Sequence, residues 1–295
     1  MSRPSDTIVL AADGGGTRCR LAVSDGSAVQ CVEVGAANVS TDFDAACAEL
    51  MHGIAALARR AGLEATQIAR APAYLGLAGI TGRALADRLA EKLPFDHVLI
   101  EDDRPAALRG ALGSKDGFVA HCGTGSFLAV QNGDRRSFAG GWGPVLGDQA
   151  SAQWVGRRAL ACTLDFVDAL KPASELADSL LSRFDGAAGI VRTASKMSPT
   201  EFGALAPVVT QHAKQGDALA LSIMEDSAQY LSDQMLAMGW MPGLSICLTG
   251  GIGPQYAEFL PAPMQQELAE PLGDPLTGAI ALAHAFQKET RHERC

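Results

Sequence analysis

Short apolar runs rich in branched residues, separated by glycine-bearing turns, open the chain. "TIVLAAD" (7–13), "RCRLAVSD" (18–25) and "AVQCVEV" (28–34) have strand length and are divided by "GGGT" and "DGS", which predicts an antiparallel meander of three strands. The period then changes. Phe43, Cys47, Leu50, Met51, Ile54 and Leu57 recur at helical spacing after Thr41, Asp42 and Asp44, and Gly62 suits the stop. "AYLGLAG" (73–79) reads as a buried strand, "TGRALADRLAEKL" (81–93) as a helix, "DHVLIED" (96–102) as a strand, and "PAALRGAL" (105–112) as a helix with Pro105 in its first turn. An order of βββαβα with a further helix begun predicts a mixed sheet covered by helices.

The order then restarts. "GFVAHCGTGSFLAVQNGDRRSFAGG" (117–141) is strand, turn, strand, turn, strand, followed by helical "DQASAQWVGRRALACTLDFV" (148–167). Two halves opening with the same glycine/threonine hairpin imply an internal duplication. Helical stretches follow at 173–184, 201–215 and 217–239. After them come "LSICLTGGIG" (244–253) as a strand running into glycines, "DPLTGAIALAHAFQ" (274–287) as a last helix and "KETRHERC" (288–295) as a frayed polar tail. The expected domains are 1–110, a larger 111–274 with a helical insertion, and a C-terminal helix, 275–295, packing back on the first.

Composition narrows the class. The 295 residues are 47% hydrophobic, enough to bury a substantial core. Lys and Arg total 24 against 33 Asp and Glu, a net charge of −9 with no basic cluster, so nucleic acid is not an expected partner. "MSRPSD" is polar, the run after it is too short for a signal or spanning segment, and no membrane segment occurs elsewhere; a soluble cytoplasmic protein is expected. The seven cysteines, Cys19, Cys31, Cys47, Cys122, Cys162, Cys247 and Cys295, include no CxxC pair. They read as reduced, apolar core residues rather than a disulfide framework or a zinc ribbon.

A turn whose central residues lack Cβ lets backbone N–H groups approach an anion, and a Thr or Ser hydroxyl adds a donor. Two such turns suit a triphosphate, although glycine turns between strands are also ordinary hairpin chemistry. "GGGTRC" leads into a strand rather than a helix, and GxxxxGK[ST] is absent, so neither a Rossmann fingerprint nor a P-loop is present.

"DGGGTRCRLAV", "GLAG", "DDRPAALRGA", "CGTGSFLAV", "GGWGPVLGDQASAQWVG" and "LTGGIG" resemble the actin/Hsp70/sugar-kinase superfamily. Within it they resemble the BadF/BadG/BcrA/BcrD-type group, which contains N-acetylglucosamine and glucosamine kinases. "EFGALAPVVTQHAKQGDALALSIM", "ICLTGGI" and "LPAPMQQ" are similar to the bacterial glucosamine kinases. The resemblance implies an α/β fold of two duplicated actin-like ATPase (ribonuclease H-like) domains with βββαβα sheets and a cleft between them. It also implies ATP and Mg²⁺ as cofactors, a homodimer, and phosphorylation of the 6-hydroxyl of glucosamine, with N-acetylglucosamine as the alternative substrate.

Carried over by position, the resemblance makes Asp13, Gly14, Gly15, Gly16 and Thr17 the first phosphate motif, with Asp13 also organising the metal. Gly123, Thr124, Gly125 and Ser126 become the second phosphate loop, and Gly250, Gly251 and Gly253 the adenosine motif. Asp103 is the implied catalytic base, with Glu101 and Asp102 beside it, and Asn38, Trp142 and Asp148 with Asp103 are implied to meet the sugar. Other readings stay open: Asn38 in a structural turn, Trp142 filling core, Asp148 capping the next helix. Gln149 stands where the family's kinases commonly carry an acid. Two other functions fit the same superfamily. One is an ATPase activating a radical dehydratase through a shared iron–sulfur cluster, for which Cys122 and Cys162 are the candidate ligands if they are exposed. The other is a sugar-sensing regulator, which would need a DNA-binding module for which neither terminus has room.

Overall fold

The computed structural model describes residues 8–292; the polar start, 1–7, and 293–295 with Cys295 lie outside it. The chain divides into two units, one running to Ser114 and resuming at Leu272, the other spanning Lys115–Pro271, against expected boundaries after 110 and 274.

The first unit contains β1 (Val9–Gly14), β2 (Cys19–Ser24), β3 (Val29–Val34), α1 (Phe43–Ala61), α2 (Ala65–Arg70), β4 (Ala73–Leu77), α3 (Arg83–Ala90), β5 (Val98–Glu101) and α4 (Arg104–Leu112). Its sheet order is β3-β2-β1-β4-β5. The three-strand meander is antiparallel, as its pattern predicts, while β4 and β5 run parallel to β1. β1 reads as continuously apolar because both faces are covered. Leu10 and Ala12 pack with Leu50, Ile54 and Leu57 of α1, whereas Val9 and Ala11 pack with Tyr74, Ala106, Ala279 and Ala283. α1 begins and ends where expected: Asp42 accepts from the Ala45 N–H, and Gly62 closes it in a left-handed conformation.

The second unit contains β6 (Gly117–Cys122), β7 (Ser126–Asn132), β8 (Arg135–Gly140), α5 (Gly143–Leu146), α6 (Ala152–Val167), α7 (Glu175–Phe184), α8 (Gly186–Ala194), α9 (Pro199–Gly203), α10 (Ala206–Lys214), α11 (Ala218–Ala237), β9 (Ile246–Thr249), a 3₁₀ turn (Gly253–Phe259) and α12 (Ala262–Gln265). Its sheet, β8-β7-β6-β9, is antiparallel across the hairpins and parallel at β6–β9. That repeats the order β3-β2-β1-β4, and the duplication expected from the hairpins is present in topology. α13 (Pro275–His292) returns to the first unit, against α4, β1 and β4.

Three element boundaries are corrected. The segment 148–167 becomes helical only at Ala152, because Asp148 and Ala150 take left-handed conformations and Ser151 is the cap. The segment 201–215 breaks into α9 and α10 with Pro207 in the new first turn. The expected frayed tail is helical as far as His292, where Thr290 bonds back to the Phe286 and Gln287 carbonyls. Among the described residues no helix is long and apolar enough to cross a membrane. Cys19, Cys122, Cys162 and Cys247 are buried, as expected of core residues, while Cys31 is exposed on β3.

Asp217 shows how the helical insertion is stitched. It caps α11 by accepting from the Ala220 N–H, and it also takes the Leu176 N–H and the Ser174 hydroxyl, so one carboxylate serves the starts of α7 and α11. Burial raises its pKa, but these donors outweigh that and hold it below the usual carboxylate value. Asp217→Ala should destabilise the protein by about 2 kcal/mol, Asp217→Asn by much less, and denaturant melts of both variants measure the difference.

Candidate active site

In open α/β sheets, ligands meet the carboxyl ends of parallel strands. At that edge of the first unit the backbone joins three loops: the Ala78 N–H donates to Gly14 (2.7 Å), the Ala37 N–H to Gly15 (3.2 Å) and the Val39 N–H to Ala78 (3.1 Å). Gly14 leaves room for the packed Leu77, since a Cβ would lie 2.5 Å from Leu77 Cδ2 and force that side chain to shift. Gly15 closes the turn on the Arg18 carbonyl, and Gly16 and Thr17 are exposed at its tip. Asn38 is in the joined loops, where its Oδ1 accepts from the Ser40 N–H, the Ser40 hydroxyl and the Thr41 N–H. That leaves its amide donors for a ligand.

The acids on this edge are told apart by their partners. Asp13 faces Arg20 across β1–β2, with Arg20 Nη2 at 2.6 Å and Nε at 3.2 Å from its Oδ2, and Arg20 also pairs with Asp274 at the start of α13. Burial raises the Asp13 pKa and Arg20 opposes the rise. Glu101 accepts the Tyr74 hydroxyl at 3.0 Å. Asp102 takes Arg104 Nε at 2.6 Å and Nη2 at 3.2 Å. Asp103 has no ion pair among the described residues and makes no capping bond to α4. Burial first, then the charges of Asp102 and Asp13, push its pKa up to about 7. A carboxyl group whose pKa is raised toward neutrality, beside acids that each have a side-chain partner, has the character of a general base.

In the second unit the carboxyl ends of β6 and β9 bring together the Gly123–Ser126 turn, the Asp148–Ser151 segment and the Gly250–Gly253 turn. The Gly123 N–H donates to Gly125, the Ala152 N–H to Gly123 and the Ile252 N–H to Cys122. Ser126 Oγ donates to the Gln149 carbonyl at 2.5 Å. Asp148 accepts backbone N–H bonds from Ser126 and Gly143, and burial still raises its pKa. A Cβ at Gly125 would lie 2.9 Å from Asp148 Oδ2, so a larger residue there would push the carboxylate aside. Gly250 has φ +81° and its Cβ would overlap the Cys122 carbonyl. Gly251 is open, and Thr124 is half-buried in the turn.

Of the alternatives left open by the sequence, Asp148 does not cap α6, a role Ser151 takes. Trp142 does not fill core: it is 74% exposed, beside Val145 and Leu146, which are also exposed. The structure thus groups Asp13, Gly14–Thr17, Asn38 and Asp103 on one edge, and Gly123–Ser126, Asp148 and Gly250–Gly251 on the other unit's edge. Sequence reasoning missed Arg20, Arg104 and Asp274. Asp274 carries a legible helix-start pattern with Thr277, but its pairing with Arg20 across 254 residues has no local signal. The dehydratase-activator reading loses its ligands, because Cys122 and Cys162 are both buried in one hydrophobic core.

Comparison with known proteins agrees with this fold. The pattern of the BadF/BadG/BcrA/BcrD ATPase family matches residues 12–280. A glucosamine kinase, GspK, of Vibrio cholerae is 26% identical over 92% of this chain and 94% of its own length. An N-acetyl-D-glucosamine kinase of Dictyostelium discoideum is 30% identical over 45% of this chain and 44% of its own. A crystal structure of a proposed N-acetylglucosamine kinase from Chromobacterium violaceum superposes with a TM-score of 0.83 at 29% identity, covering 95% of this chain and 100% of that one. The chain, with its duplicated sheets and glycine turns, belongs to the BadF/BadG/BcrA/BcrD ATPase family.

Proposed function

We propose that the protein is an ATP-dependent amino-sugar kinase that transfers the γ-phosphoryl group of ATP to the 6-hydroxyl of glucosamine. The observation that carries this reading is Asp103: alone among three adjacent acids it lacks a cationic or hydroxyl partner, and its pKa is raised to about 7. Phosphoryl transfer needs an acceptor oxygen held in line and a group to take its proton. Asp103 takes the proton of the 6-hydroxyl, while the amide donors of Asn38, with Trp142 and Asp148, orient the sugar. The Gly14–Thr17 and Gly123–Ser126 turns offer N–H and hydroxyl donors to phosphate oxygens, and Gly250–Gly251 lie against the adenosine. Similarity over most of its length to a glucosamine kinase supports the choice of substrate.

Mg²⁺ fits the donor set in one way. Among the described residues no three His, Cys, Asp or Glu side chains gather as a metal cage, and Mg²⁺ bound to nucleotide usually keeps its waters and takes only one or two carboxylates. Asp13 is that carboxylate, and the ion when bound neutralises phosphate charge. A cytoplasmic homodimer belongs to the same reading.

A coupled ADP-release assay with Mg·ATP and glucosamine, N-acetylglucosamine, glucose or no sugar tests the proposal. The largest kcat/KM is expected with glucosamine. A preference for N-acetylglucosamine replaces the substrate and keeps the chemistry, and ADP release that no sugar stimulates overturns the kinase.

A further inference from the structure

His121 has no part in the roles above, yet the structure fixes it in three directions. It lies on β6 in register with Phe127 of β7 and Thr249 of β9. Its ring stacks on Phe127 with centroids 5.0 Å apart and planes 18° from parallel. Nδ1 is 3.0 Å from Thr249 Oγ1. Nε2 is thereby turned toward Gly123, where a Cβ would come within 3.2 Å of it, so the imidazole borders the turn closely.

The state of the ring follows from its surroundings. Burial lowers the His121 pKa to about 4, with no charged neighbour contributing, so the ring is neutral at pH 7 and carries one N–H. Nδ1 and the Thr249 hydroxyl share a hydrogen bond whose direction is set by the tautomer. A hydroxyl donating to Nδ1 places the ring proton on Nε2. That atom takes no protein partner among the described residues and is not a sealed orphan, the buried unpartnered atoms being Gln153 Nε2 and Ser232 Oγ. The residue is half-buried rather than sealed, and Nε2 borders the turn at Gly123.

We propose that His121 is a phosphate-binding donor of the Gly123–Ser126 turn and Thr249 its positioning residue: the Thr249 hydroxyl donates to Nδ1, and Nε2–H hydrogen-bonds a phosphate oxygen of the bound nucleotide. The proposal rests on the reading that this turn holds nucleotide phosphate. A neutral donor adds direction to that grip without bringing a further charge into the turn.

Long-range ¹H–¹⁵N spectra of the full-length protein labelled at histidine, with His121→Phe for assignment, read the tautomer directly. Nε2–H is expected, with a shift of that nitrogen on adding Mg·AMPPNP and loss of the tautomer preference in Thr249→Val. By calorimetry, affinity for Mg·AMPPNP should fall about tenfold in His121→Phe, which keeps the stack on Phe127, and about threefold in the near-isosteric Thr249→Val, with the sugar KM unchanged. An Nδ1–H tautomer, or unaltered AMPPNP affinity in both variants, overturns the proposal. Wild-type protein that fails to bind Mg·AMPPNP overturns the nucleotide reading itself, and this proposal with it.

Discussion

Asp103→Asn is expected to lower kcat by roughly 10²–10⁴-fold and at the same time to make the unliganded protein more stable. Both effects have one cause. The Asp103 carboxyl is held at about 7, first by burial and then by Asp102 and Asp13, so ionising it at neutral pH is unfavourable in the folded state and easy in the unfolded one. A folded pKa above the unfolded 3.8 means that the native state binds the proton more tightly. Stability from this group is fully present below pH 3.8 and is lost as the pH rises through about 7. The amide carries no such cost, so its advantage should be absent near pH 4 and reach roughly 1–3 kcal/mol by pH 8, a rise in Tm of about 2–6 °C. Because the two proteins differ at one group, comparing their melts across pH cancels every other titration. The wild-type kcat/KM should rise with pH along a limb centred near 7 for the same reason. A variant that keeps its turnover moves the base elsewhere, and one that is inactive but no more stable at pH 8 removes the raised pKa from the argument.

How much of this was legible beforehand depends on how local each signal is. The meander, α1 with both its caps, and the strand–helix alternation follow from periodicity and punctuation, because neighbours in sequence decide them. α2 was not anticipated: it is one short turn around a single buried residue, Ile68, set by a capping box between Glu64 and Gln67. The late start of α6 was hidden for a different reason. Left-handed Asp148 and Ala150 each oppose local preference by about 1–2 kcal/mol, and the turn persists because tertiary contacts over-determine it, among them the Tyr256 hydroxyl bonded to the Ala150 carbonyl at 2.7 Å. At the candidate site the glycines and Asp103 stand out by motif. The reason Asp103 differs from Asp102 is the Arg104 guanidinium folding back on the latter, and that becomes visible only once side chains are placed.

The second large effect is expected where propensity and packing point in opposite directions. Gly278 lies inside α13, where replacing a helical glycine by alanine ordinarily stabilises by about 1 kcal/mol. Here a Cβ would overlap the Ala106 carbonyl oxygen of α4 and lie 2.5 Å from the Gly110 nitrogen, while a Cβ on Gly110 would overlap the Asp274 carbonyl at the start of α13. The obstacles are backbone atoms of two helices in contact, so neither can yield without separating the pair. Overpacking typically costs about 1–3 kcal/mol, and with backbone atoms as the obstacles the upper end, about 3 kcal/mol, is expected here, which exceeds the propensity gain. Gly278→Ala should therefore cost about 2 kcal/mol net and lower Tm by roughly 4–8 °C, whereas Gly16→Ala, whose Cβ meets nothing within 4 Å, should leave stability within about 0.5 kcal/mol. Activity should fall with it in protein that is still folded at the assay temperature. Asp103 stands at the head of α4 and Asp274 at the head of α13, where it holds Arg20 against Asp13, so parting the helices displaces the proposed base and loosens the arginine clamp together. A stabilised Gly278→Ala protein would show that propensity outweighs the contact and that α4 and α13 do not cross at backbone distance.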